Sequence, residues 1–207
     1  MSQTLAAGGN APVPTEKLTV KCMHIGPDAD LSALLLTAAG KVRTDEDFVF
    51  YGQPASTCGS VAYQDKKKNG EITEHAIVVD LTKIPAAIEK IAITLTIDPE
   101  TPKTFAAVTA CGLSVNDASG KSLVEMEPKG DKENAFVIAE LYKRNGVWKV
   151  RNFNQGFVNG LAGTELTAEH INSKISQMTG IKLDKLTADE SARLSKMEDS
   201  LHERVID

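Results

Sequence analysis

The sequence predicts a mainly β protein: a β-sandwich of antiparallel and mixed strands with a C-terminal α-helical extension. Three observations predict it. Short runs of alternating apolar and polar residues fill the stretch from Lys17 to Phe153. Asn-Gly and related turn signals punctuate them, at Asn69-Gly70, Ala39-Gly40, Asp117–Gly120 and Asn145-Gly146. Beyond Gly163 the apolar spacing changes from two to three or four, the period of an amphipathic helix. The expected division is a sandwich domain over 1–163 and a helical extension over 164–207.

Each element can be justified in order. Leu18, Val20 and Cys22 alternate with Thr19 and Lys21, a half-buried strand. Leu31 to Leu36 is almost continuously apolar and reads as a core strand. Strands are expected at Phe48–Tyr51, Gly59–Tyr63 and His75–Leu81. Pro85 to Lys90 is predicted as a short helix, with proline at its first position. Ile91, Ile93, Leu95 and Ile97 keep a strict period of two. Phe105–Val115 and Leu123–Met126 follow, then Ala135–Lys143 and Val147–Phe153, which flank the Asn145-Gly146 hairpin signal. In the extension, Ile171, Ile175 and Met178 share a face before Gly180. Thr187 and Glu190 form a capping box ahead of Leu194, Met197, Leu201 and Val205. These stripes suit either folding back onto the sandwich or partner contacts, including self-association through residues 167–205.

Bulk properties narrow the function. The 207 residues carry a net charge of -5, which does not favour a nucleic-acid backbone as partner. The one dense basic run, Lys66-Lys67-Lys68, is flanked by acids and reads as a solvated turn. No apolar stretch approaches the roughly 20 residues of a membrane span, and residues 1–14 lack the pattern of a secretory signal. The three cysteines, Cys22, Cys58 and Cys111, form no CxxC pair, so a disulfide framework is not expected and a reducing cytoplasm is.

The candidate ligand residues begin with Asp28 and Asp30. Alternate residues of a strand point the same way, so this pair can offer carboxylate oxygens to one hard cation. Cys22 and His24 share a strand face and could bind a softer metal, but the sequence places no further ligand near them. A buried thiol beside a partly exposed imidazole is the plainer expectation. Cys58 is expected in a loop, exposed and oxidisable. No nucleophile–base series and no phosphate-cradling glycine loop is present, so an enzyme is not expected.

Several stretches together resemble one family. Asp28-Ala29-Asp30-Leu31-Ser32-Ala33-Leu34-Leu35-Leu36 resembles the DxDxSAxLL segment of the TerD (tellurite-resistance, stress-protein) domain. Leu5–Asn10 is similar to its opening LxKGGN, with Ala7 in place of lysine. Gly40-Lys41-Val42-Arg43 through Asp47–Gln53 is similar to GKVxSDxDFVFYNQ. Glu140-Leu141-Tyr142, Trp148–Arg151 and Gly156–Leu161 resemble the C-terminal ELYxxxGxWKxRAxGQGYxxGL. The resemblance covers roughly residues 1–163.

The resemblance implies a non-catalytic, calcium-binding β-sandwich linked to tellurite resistance, phage and colicin defence, and general stress. In that family the DxD pair works with an acidic loop between the next two strands. Here Cys58 replaces an aspartate of that loop, Asp65 matches another, and Lys66–Lys68 follow it. Asp28, Asp30 and Asp65 leave three matched carboxylates for an ion that takes six to eight oxygens. The expectation is a weak calcium site or none, in a scaffold or partner-binding module of a stress assembly. The alternative is a calcium-dependent or small-ligand-binding sandwich with an aromatic-lined pocket near Tyr51, Tyr63 or Trp148.

Overall fold

The computed structural model describes residues 2–98 and 100–158. The expected helical extension over 164–207 lies outside the described residues. Twelve strands form two six-stranded sheets. In chain order these are β1 (Gln3–Thr4), β2 (Asn10–Pro12), β3 (Lys17–Ile25), β4 (Ala29–Leu36), β5 (Phe48–Val49) and β6 (Val61–Asn69), followed by β7 (Ile72–Asp80), β8 (Lys90–Ile97), β9 (Ala110–Asn116), β10 (Ser122–Met126), β11 (Ala135–Arg144) and β12 (Val147–Phe157). One sheet runs β1-β10-β9-β3-β7-β6 and the other β2-β12-β11-β8-β4-β5. All strand pairs are antiparallel except β1 with β10.

The alternation read from the sequence is the alternation of burial. In β3, Leu18, Val20, Cys22 and His24 are buried while Lys17, Lys21 and Met23 face solvent. The continuous apolar run of β4 has a physical reason. Leu31, Ala33 and Leu35 enter the main core between the sheets. Leu34 and Leu36 enter a second cluster on the other face, with Val42 from the connection after β4, Phe48 of β5 and Phe50 just beyond it. A strand covered on both faces needs no polar alternation. Asn145 and Gly146 take φ of 52° and 78°, the positive values that a type I′ turn demands, and join β11 to β12.

Three expectations are corrected. Pro85–Lys90 forms no helix; it makes a turn in which Ile88 N–H donates to Pro85 C=O at 2.9 Å. Six residues give too few hydrogen bonds to offset helix nucleation. Phe105–Val115 is not one strand: a 3-10 turn at Phe105–Ala107 precedes β9. Lys66-Lys67-Lys68 is not a turn but the second half of β6, an edge strand, and the chain reverses after it at Gly70 (φ 62°). Lysines on an edge strand discourage pairing with another chain, which explains a run with no apolar alternation.

That edge strand carries the irregularity that matters for function. The β6–β7 register jumps from Gln64↔Ala76 to Lys67↔Glu74, so Asp65 and Lys66 together oppose the single residue His75. Such a bulge bends the strand and re-aims a side chain. Edge strands β6 and β5 lie on the same side of the sandwich, and Lys66 reaches from one sheet to the start of β4 in the other.

Candidate functional site

Asp28 and Asp30 stand at the start of β4, where Asp30 pairs in register with Thr96 of β8. Between their carboxylates sits the ammonium of Lys66. Its Nζ donates to Asp28 Oδ1 at 2.8 Å, Asp28 Oδ2 at 2.9 Å and Asp30 Oδ1 at 3.1 Å. The side chain of Asp28 is 77% exposed, that of Asp30 25% and that of Lys66 35%. The three charges therefore lie at the rim, with Asp30 the most enclosed.

The electrostatics follow from that depth. Desolvation pushes the Asp30 carboxyl above its ordinary value, and this outweighs the pull of Lys66; Asp28 and Asp98 push the same way. At Lys66 the balance reverses. Desolvation lowers the ammonium, but hydrogen bonding and attraction to Asp28 and Asp30 hold it above its ordinary value. Asp98 was not singled out in the sequence. It belongs here because it follows Ile97, the partner of Ala29 in the register, a placement that only strand pairing reveals.

Calcium takes six to eight oxygens at about 2.3–2.6 Å. The carboxylates brought together here offer Lys66 three oxygens, at hydrogen-bond distances. Among the described residues no group of three Asp, Glu, His or Cys side chains is placed to hold one ion. Asp65, the third expected ligand, lies exposed in the bulge next to Lys66. The donor set as arranged does not fit a divalent cation.

Behind this rim lie two buried histidines. His24 and His75 stack with ring centroids 5.2 Å apart and planes at 18°. His24 is buried, against the expectation of a partly exposed imidazole. Its Nε2 lies 3.1 Å from Pro27 C=O, which fixes that nitrogen as the N–H donor. Burial lowers the His24 pKa, and Pro27 offsets part of the effect. Burial, then His24, then Lys66 push His75 down to about 4, so both rings are neutral at pH 7.

Cys58 is exposed, in the turn expected for it. Desolvation pushes its thiol up, but contacts with Ser56 Oγ (3.4 Å) and Ser60 Oγ (2.9 Å) help bring it below its ordinary value. Of Tyr51, Tyr63 and Trp148, near any one of which the alternative reading places an aromatic-lined pocket, neither Tyr51 nor Tyr63 lines either of two cavities. Trp148 lines a cavity of about 230 Å³ with Leu81, Ile84, Pro85 and Lys143. A larger groove of about 680 Å³ lies at the far end of β3, walled by Met23, Ile25, Ile72, Phe105 and Val108.

The family model described as the TerD domain matches residues 10–167. The chain belongs to the TerD domain family. Tellurium resistance protein TerD of Serratia marcescens is 31% identical over 181 residues, covering 78% of this chain and 94% of that protein. General stress protein 16U of Bacillus subtilis is 34% identical over 142 residues, covering 65% of this chain and 74% of its own. The crystal structure of a homologue of telluride resistance protein (TerD) from Streptomyces coelicolor A3(2) superposes with a TM-score of 0.58 at 17% identity. It covers 73% of this chain and 97% of that chain, and supports the sandwich architecture. Among the described residues no helix is long and apolar enough to cross a membrane.

Proposed function

We propose that this TerD-domain chain is a non-catalytic, cytoplasmic stress-response protein whose sandwich acts as a scaffold or partner-binding module, with calcium binding weak or absent. Its partners would be other proteins of a tellurite-resistance or stress assembly. The family and the stress-related names of its relatives support the general role. The observation that carries the finer reading is Lys66 Nζ within 2.8–3.1 Å of three carboxylate oxygens. A tethered ammonium satisfies the carboxylates without an ion from solution, so the rim keeps its shape at any calcium concentration. It also opposes a divalent cation by direct repulsion.

The test is to measure solution mass and thermal stability of the full chain with millimolar calcium and with a chelator. The reading expects no difference in either. A rise in Tm of several degrees with calcium, or a calcium-dependent change of mass, would replace the scaffold with a calcium-responsive module. The groove beside Met23 and Phe105 favours a second reading, a small-ligand-binding sandwich. A screen for ligands that raise Tm in the wild type but not in Gly112→Phe separates the two, because Gly112 lies in the groove wall with open space above it.

A further inference from the structure

The outward face of the β9-β3-β7 sheet changes character along its length. On β3, Lys17, Thr19 and Lys21 take this face first, and Met23 and Ile25 take it at the far end. Strand register widens that end into a patch. Ile25 pairs with Ile72 on one side and with Ala110 on the other, and Met23 pairs with Gly112. Met23 is 49% exposed and Ile72 39%. These residues line the groove of about 680 Å³, together with Phe105, Val108 and the 127–130 segment. A face that meets only water has no need of such a row, and contiguous exposed apolar surface marks a place where something docks.

The chain leaves the sandwich beside this groove. β12 ends at Phe157, whose carbonyl accepts from Asn134 N–H at 3.1 Å. Asn134 follows Glu133, whose carbonyl accepts from Phe105 N–H at 2.9 Å. Earlier in the same strand, Asn154 Oδ1 accepts from Lys129 N–H at 3.1 Å. Phe105 and Lys129 both belong to the groove wall. Residues 159–207 follow in the sequence, and their first apolar stripe is Ile171, Ile175 and Met178. The linker from Val158 to Thr167 spans up to about 30 Å when extended, so the stripe can reach the groove.

We propose that residues 167–180 dock in this groove as an amphipathic helix, with Ile171, Ile175 and Met178 seated on Met23, Ile25 and Ile72. The spacing i, i+4, i+7 is the one by which a helix presents an apolar face to a groove. A helix of about 14 residues is marginal in water until such a face is packed. The groove has room for it, since nothing lies within 4 Å of a Cβ built on Gly112. The tether favours this occupant over a free partner of similar affinity, because a short linker holds the stripe at an effective concentration of about millimolar. The inference stands apart from the calcium reading, and it sets the tail against any small ligand in the same groove.

The test uses the full chain with photo-methionine in place of methionine, irradiated at low micromolar concentration in the presence of a chelator. Cross-links are mapped by mass spectrometry. Met178 is expected to link to the peptides holding Ile72 or Val108, and Met23 to those holding Ile171 or Ile175. A mixture of isotope-labelled and unlabelled chains separates links within one chain from links between copies, and the expected links are within one chain. Ile171→Asp/Ile175→Asp, which leaves the sandwich residues untouched, is expected to lower their yield by about tenfold or more, because two apolar anchors are lost. Gly112→Phe, which fills the groove, is expected to lower it likewise. No link between the stripe and the groove, links formed only between copies, or an unchanged yield in Ile171→Asp/Ile175→Asp overturns the proposal. The parent chain decides it even where Gly112→Phe fails to fold.

Discussion

Replacing Lys66 with methionine removes the ammonium while keeping most of the apolar stem. Lys66 reaches two carboxylates of different depth, so the two interactions differ in strength. Asp28 is largely in water, where an ion pair contributes about 0.2–1 kcal/mol and is screened by salt. Asp30 is three-quarters covered, and its pairing with Lys66 should reach about 1 kcal/mol after the ammonium's own desolvation is counted. Lys66→Met is therefore expected to cost about 1 kcal/mol, or a Tm decrease of about 2–4 °C for a domain of this size. Urea denaturation of a double-mutant cycle with Asp30→Asn and Asp28→Asn apportions the effect. Coupling should be larger to Asp30 than to Asp28, and 1 M NaCl should erode the Asp28 part first. Coupling near zero to both carboxylates, or a Lys66→Met chain more stable than its parent, would refute the reasoning.

Other perturbations have defined outcomes. His75, pushed down to about 4 from 6.5, takes up a proton more readily unfolded than folded. Its contribution is intact above pH 6.5 and is lost as pH falls towards 4, about 3 kcal/mol across that window. His24, also lowered, adds in the same direction, and Asp30, raised, opposes it at the acid end. Urea denaturation against pH checks this, and His75→Gln should flatten the curve. Gly26 has φ of +140°, and an added Cβ would lie 2.6 Å from Ala107 O, so Gly26→Ala should destabilise by about 2 kcal/mol or more. Asp47 is buried and accepts from Arg43 Nε, Arg43 Nη2 and the Arg43 backbone N–H. Asp47→Ala should cost about 2–3 kcal/mol by thermal denaturation. Iodoacetamide mapped by mass spectrometry should modify exposed Cys58 first and buried Cys22 last.

The sandwich was legible because a strand with one wet face writes its burial into the sequence with a period of two, as β3 does; β8 keeps the period in its Ile91, Ile93, Leu95 and Ile97 although both of its faces are buried. The same period places Thr73, His75, Ile77 and Val79 on one buried face of β7, so the burial of His75 was readable in principle. Its neighbours were not. Cys22 and Cys111 meet through the pairing of β3 with β9, and His75 joins Cys22 through β3 with β7. Register between distant strands is a tertiary property. The lysine run misled for a local reason: an edge strand with charges on both sides has no alternation to read. Asp28 and Asp30 were legible as a pair, whereas their partner Lys66 depends on a bulge that one residue more or less in β6 would remove.

The central claim is that the Lys66 ammonium holds the position between Asp28 and Asp30 that a divalent cation would need. Isothermal titration of the full chain with calcium, beside Lys66→Met, tests it most directly. The wild type should give no saturable heat at micromolar calcium, and Lys66→Met at most weak binding, with Kd of about 10⁻⁴–10⁻³ M. Saturable binding of two calcium ions by the wild type at micromolar concentration, unaffected by Lys66→Met, would contradict it.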